Sequence, residues 1–192
     1  MDIKRTLPLA VLFALLIVLA VLFFTAGDEQ PPLLDPIARP DDQGAVPALA
    51  RQTRTVTLFF LAENDYLLHP EEREIYSYEQ MVFEAKQTIE ELVKGSSNGA
   101  VASVPAGTRL REMYITREGV AYVDFSRELM DNHRSGTSAE MATVFAIVNS
   151  LTFNFESIKR VFILIEGNER ETLSGHIDLT RPLLPRLDLI AN

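Results

Sequence analysis

The chain has 192 residues, 47% of them hydrophobic, and its 18 Lys+Arg against 27 Asp+Glu give a formal net charge of −9. That length holds one ordinary folded domain once terminal segments are set aside. The absence of cysteine excludes disulfides and a lipidated N-terminal cysteine, and the acidic balance argues against nucleic acid or anionic lipid as partners, because both call for neutralising Lys and Arg.

Residues 1–6 read as a cytoplasmic stub and 7–26 as a transmembrane signal anchor. From Leu7 to Phe24 every residue is apolar, counting Pro8. As a helix this run is roughly 27 Å long, close to the hydrocarbon thickness of a bilayer. Lys4 and Arg5 precede it while Asp28 and Glu29 follow, so the rule that positive charge stays inside places the rest of the chain outside. A cleaved signal peptide has a shorter apolar core and a small residue at its exit; here the exit carries Phe23 and Phe24. The expected location is therefore the cytoplasmic (inner) membrane, single-pass, with the C-terminal domain extracytoplasmic or periplasmic. Residues 27–53 follow as a linker with Pro31, Pro32, Pro36, Pro40 and Pro47. Proline fixes φ and removes a donor, so this stretch neither pairs into a sheet nor continues a helix, and fully extended it reaches roughly 80 Å.

The folded part is expected over 54–187, with 188–192 as a tail. Arg54 to Ala62 is a β-branched and aromatic strand with Val56, Leu58 and Phe60 on one face. Apolar residues on its second face suggest a central strand. Leu67 to Tyr76 is a weaker, bent strand, since Pro70 suits only an edge or bulge. Ser77 with Gln80 has the spacing of a capping box. The helix after it buries Met81, Val82, Ala85, Ile89, Leu92 and Val93, sets Glu79, Glu84, Glu90 and Glu91 on or beside the other face, and closes at Gly95. After a Gly/Ser/Pro/Ala-rich connection, Arg109 to Thr116 and Val120 to Phe125 form a hairpin around Gly119. Met113, Ile115, Ala121, Val123 and Phe125 share its buried face; Tyr114, Tyr122 and Asp124 share the other. Ser126 opens a short turn. Thr137 or Ser138 starts a second long helix, with Glu140 in its first turn and an apolar face of Met141, Val144, Phe145, Val148 and Leu151. Arg160 to Glu166 is a strand, Thr172 to Asp178 a further extended piece, and Pro182 and Pro185 end the fold. The order β-β-α-β-β-α-β-β predicts an α+β fold, a mixed β-sheet with two helices packed on one face, preceded by one N-terminal transmembrane helix.

The same stretches, taken in order, resemble the GerMN domain family, named for a sporulation and germination protein of spore-forming bacteria. The resemblance rests on Thr57-Leu58-Phe59-Phe60, Leu67 to Ile75 with Pro70-Glu71-Glu72-Arg73, Val104 to Leu110, and Gly119 to Ser126. It continues through Gly136-Thr137-Ser138-Ala139-Glu140, Ile147 to Thr152, Val161 to Gly167 and Gly175 to Leu179. It implies an extracytoplasmic domain similar to those that build envelope assemblies, with no known catalytic activity or cofactor. The protein that gives the family its name looks like a lipoprotein with two tandem copies, whereas this chain has one copy and a helical anchor.

No pattern in the chain demands chemistry. His69, His133 and His176 are far apart in sequence, unlike the paired histidines of a helical zinc site. Read as a strand, Thr172 to Asp178 puts Ser174, His176 and Asp178 on one face, but neighbours two apart rarely meet as nucleophile, base and orienter. Glu71, Glu72 and Glu74 suit a solvated edge better than a glycosidase pair. Gly136-Thr137-Ser138 at a helix start offers N–H groups and hydroxyls to an anion, although ordinary capping explains the same residues. The expectation is no catalytic, cofactor or metal site: an interaction or assembly module of the bacterial envelope that meets an envelope protein, a wall polymer or further copies of itself. The alternatives are an envelope-acting hydrolase using Glu72, His176 and Asp178, and an anion- or ligand-sensing domain.

Overall fold

The computed structural model describes residues 52–191. The apolar run Leu7 to Phe24, and with it the stub, the anchor and almost all of the linker, lies outside the described residues. Among the described residues no helix is long and apolar enough to cross a membrane.

Strands β1 (Thr53–Leu61) and β2 (Leu68–Tyr76) form an antiparallel pair in register from Thr53 opposite Tyr76 to Leu61 opposite Leu68. Among the named strands β2 pairs with β1 alone, apart from a single bridge at Leu68, so Pro70 sits on an edge where its missing N–H costs no ladder bond. β1 is not the central strand its two apolar faces suggest. Apart from one backbone bridge between Leu61 and Val101, its second edge meets side chains: Phe59 N–H donates to Ser150 Oγ (3.2 Å), Thr57 N–H to Asn154 Oδ1 (2.8 Å) and Leu61 N–H to Ser103 Oγ (2.9 Å), while Asn154 Nδ2 donates to Thr57 O (2.6 Å). Polar side chains thus stand in for a neighbouring strand.

Helix α1 (Met81–Lys94) buries Ala85, Ile89 and Leu92 and ends at Gly95, whose φ of +90° suits glycine. The capping box is absent. Gln80 makes no capping bond, and Glu84 is buried rather than solvated. Its carboxylate accepts from Ser77 Oγ (3.0 Å), Tyr78 N–H (2.9 Å) and Arg54 Nη1 (2.8 Å), so it fastens the entry to the helix from the inside.

Strands β3 (Leu110–Ile115), β4 (Val120–Phe125) and β5 (Arg160–Ile165) make a separate sheet in the order β3-β4-β5. β3 and β4 are antiparallel; β4 and β5 are parallel. The hairpin turn needs Gly119. At φ +80° a Cβ there would stand 2.5 Å from Ser157 O, and Gly119 O accepts from Lys159 N–H at 2.7 Å. Between β4 and β5 run a short helix α2 (Glu128–Asp131) and the long α3 (Thr137–Asn154). α3 is buried at every position from Ala142 to Leu151, not along one stripe. Such a helix occupies the middle of a core. α3 packs on β1 and β5, while α1 contacts β1, β2 and β3. Hence the architecture is α+β with two small sheets joined through helices, rather than one sheet carrying two helices.

The eighth element is not a strand. Residues 172–178 turn and bend, because three of their donors end on the Glu140 carboxylate instead of a ladder. Beyond Leu187 the chain stays attached: Ile190 bridges Leu68, and Ala191 N–H donates to Leu68 O at 3.0 Å.

Candidate functional site

The candidate residues named from sequence disperse. Along β2 the alternation of side chains sends Glu71 inward and leaves Glu72 and Glu74 exposed. Glu71 accepts from Ser96 Oγ (2.6 Å), Ser97 N–H (3.0 Å), Ser97 Oγ (2.6 Å) and the Arg73 guanidinium. Burial raises its pKa, but these bonds outweigh burial and bring the carboxyl down to about 2. His69 pairs with Asp65 at 2.8 Å on the surface. Asp178 binds Thr180 and Arg181, not His176. No group of three or more metal-ligating side chains gathers among the described residues.

Ser174 and His176 do converge, but on Glu140. This carboxylate, fully buried on α3, accepts from Leu173 N–H (2.8 Å), Ser174 Oγ (2.9 Å) and His176 N–H (2.9 Å), with His176 Nδ1 at 3.1 Å. Burial raises its pKa; the bonds from Ser174, Leu173 and His176 prevail and lower it to about 2. A carboxylate held ionised by that many donors clamps the 173–176 segment to α3. It lies i−4, i−8 and i−11 from Val144, Val148 and Leu151, in line with the apolar stripe. A charge on that line had to be buried and satisfied, and that was the legible signal.

Two surfaces remain. The first is a groove of about 870 Å³ between the β1–β2 turn, the 101–106 connection and the start of α3, lined among others by Tyr66, Val104, His133, Arg134 and Thr137. In its wall Thr143 Oγ1 donates to Ser103 O (2.5 Å) and therefore accepts from His133 Nε2 at 3.1 Å. Burial depresses the His133 pKa. Gly136, Thr137 and Ser138 lie on the groove, and no side chain caps the helix there.

The second surface is the outer face of the three-stranded sheet. Strand alternation turns Met113, Val123 and Ile163 into the core and sets Tyr114, Tyr122 and Phe162 in one cross-strand row on the other side, outside the core cluster. Tyr114 stacks on Tyr122 with centroids 4.6 Å apart and planes 8° off parallel, and Tyr122 meets Phe162 edge to face at 5.2 Å. Phe162 is 6% exposed and Tyr114 54%, so the row is anchored at one end and open at the other. Beside it Arg111 pairs with Asp124 and Glu166, each at 3.2 Å. An open aromatic end framed by ion pairs is built like the anchor of a docking surface.

A family model described as Germane, sporulation and spore germination, matches residues 57–171. Among solved structures, the tandem GerMN domains of the sporulation protein GerM from Bacillus subtilis align at a TM-score of 0.57 with 26% identity, over 71% of this chain and 48% of that one. The first GerMN domain of the same protein aligns at 0.53 with 26% identity, over 70% of this chain and 99% of that one. This chain therefore spans about half of the tandem structure and matches the single domain over nearly its whole length. No curated protein matches.

Proposed function

This chain belongs to the Germane family, and we propose that its folded domain is a non-catalytic interaction module of the bacterial cell envelope. In this reading residues 7–26 anchor it in the cytoplasmic membrane, the linker holds it outside, and the outer face of the three-stranded sheet docks an envelope protein. The setting suggested by the likeness to GerM is sporulation or germination. The open end of the aromatic row, Tyr114, carries the proposal. Large aromatic side chains bury much apolar area at little entropic cost and dominate interfaces where they are available. The hydrolase alternative lacks such support, since His176 is held by Glu140, Asp178 binds Thr180 and Arg181, and Glu72 stands exposed on β2.

The chain contains no cysteine, which makes a single introduced one a clean reporter. With Tyr114 left in place, Glu112→Cys, two residues along β3 on the same face and exposed, should form cross-linked adducts in the native membrane, and Glu90→Cys, exposed on α1, should not. An adduct to an envelope protein, a wall polymer or a second copy supports docking through this face and says which. Equal labelling at both positions, or none at Glu112→Cys with the fold intact, removes it. Replacing Glu72, His176 and Asp178 together by Ala should leave the biological activity in place; its loss, with the domain still folded, revives the enzyme reading.

The groove favours a second reading, ligand sensing, because its volume is in the range of small-molecule sites. Binding there would raise the unfolding midpoint by mass action. A panel of small carboxylates and phosphate that leaves the midpoint unchanged would count against it.

A further inference from the structure

We propose that Asn98 and Gly99 form a self-modifying site, at which Asn98 converts through a cyclic succinimide to aspartate and isoaspartate and so loosens the connection that follows α1. This is the one Asn-Gly step in the chain. It lies on an exposed bend whose flanks are fixed: Asn98 N–H and Ala100 N–H both donate to Ser96 Oγ, at 3.0 and 3.1 Å, and Ser96 and Ser97 are bound to Glu71. Between those fixed points the two reacting groups are free. Neither the Asn98 side-chain amide nor the Gly99 N–H has a hydrogen-bond partner among the described residues. Gly99, at φ +82°, has open space where a Cβ would be, so no side chain of its own and no neighbour blocks the approach.

The chemistry needs only water. The Gly99 nitrogen gives its proton to solvent base and attacks the Asn98 side-chain carbonyl carbon. A C–N bond forms to Gly99, the bond to the amide nitrogen breaks, and ammonia leaves with a proton from solvent. Water then opens either carbonyl of the ring. One product is aspartate; the other carries the backbone through the former side chain and is longer by a methylene. Both add a negative charge to a segment already wrapped around the Glu71 carboxylate. The isoaspartate also disturbs the spacing to Val101, whose N–H donates to Leu61 O at 3.2 Å and whose side chain lines the groove.

The test is to hold the full chain in warm, mildly alkaline buffer, digest it, and resolve the peptide containing Asn98 by chromatography and mass. The expected result is two new species, both heavier by the difference between amide and acid. Their rate of appearance should drop about tenfold or more in Asn98→Gln, whose ring closure is less favourable. A peptide that stays unmodified in the folded protein, yet converts when the chain is unfolded in urea, overturns the proposal. The modified protein, separable by anion exchange, should melt at a lower temperature than the unmodified protein. Identical melting overturns the loosening of the connection.

Discussion

Glu71 and Glu140 share a predicament: each is a carboxylate drawn inside by its position on an element whose neighbouring residues are core. Both resolve it by accepting several bonds from a nearby loop, and both carboxyls fall to about 2 from an ordinary 4.5. A folded-state pKa below the unfolded one means the stabilisation is complete above about pH 5 and is lost as pH falls toward 2. The shifts correspond to about 3 kcal/mol for each group. Acid titration of unfolding should therefore show stability falling through that window, and a curve flat down to pH 2 would contradict the clamp geometry. Glu140→Gln tests one clamp alone at neutral pH. The amide keeps the shape but supplies one acceptor oxygen where two were used, leaving buried donors of residues 173–176 unmet, at a cost of about 3 kcal/mol. Denaturant unfolding measures that directly.

At the scale of elements, period and turn chemistry made most of the order readable. The alternation in Leu110–Ile115 and Val120–Phe125, with Gly119 between, led straight to the hairpin and even to the face shared by Tyr114 and Tyr122. Partnership was harder to read. Nothing in Val56 to Phe60 says whether the next edge is a strand or a helix, and Ser150 and Asn154 look like ordinary polar helix residues until their hydroxyl and amide are found on the β1 backbone. Likewise the apolar stripe of α3 was visible, yet Ala142, Thr143, Ala146 and Asn149 are small or polar and hid that the helix is enclosed on all sides. Residues 172–178 read as extended, yet they bend because their donors are claimed by Glu140, a contact 33 to 36 positions away in sequence. If side chains cap the β1 edge, Ser150→Ala should leave Phe59 N–H buried without a partner and cost about 1–3 kcal/mol. Amide exchange should accelerate first at Phe59 and, in Asn154→Leu, at Thr57. Unchanged protection at both amides would show that the edge does not depend on these side chains.

For the whole molecule, charge and aromatic exposure point to different modes of contact, and they can be separated. A chain of net charge −9 repels polyanions and steers weakly toward basic partners, whereas the docking proposed for the Tyr114 end of the aromatic row would act by burial, which salt scarcely screens. Tyr114 is 54% exposed and outside the core, so its removal takes little from the fold. Tyr114→Ala should therefore leave the unfolding midpoint nearly unchanged while weakening partner retention by about 2 kcal/mol, roughly 30-fold, as truncation of an interface anchor does. Retention should change little between low and moderate salt. Measured in the full chain, the three readouts form one argument. A lower midpoint would make Tyr114 a structural residue. Steep salt dependence would move the contact to the charged rim around Arg111. Full retention in Tyr114→Ala would take the docking surface off this sheet altogether and turn attention to the groove at the start of α3.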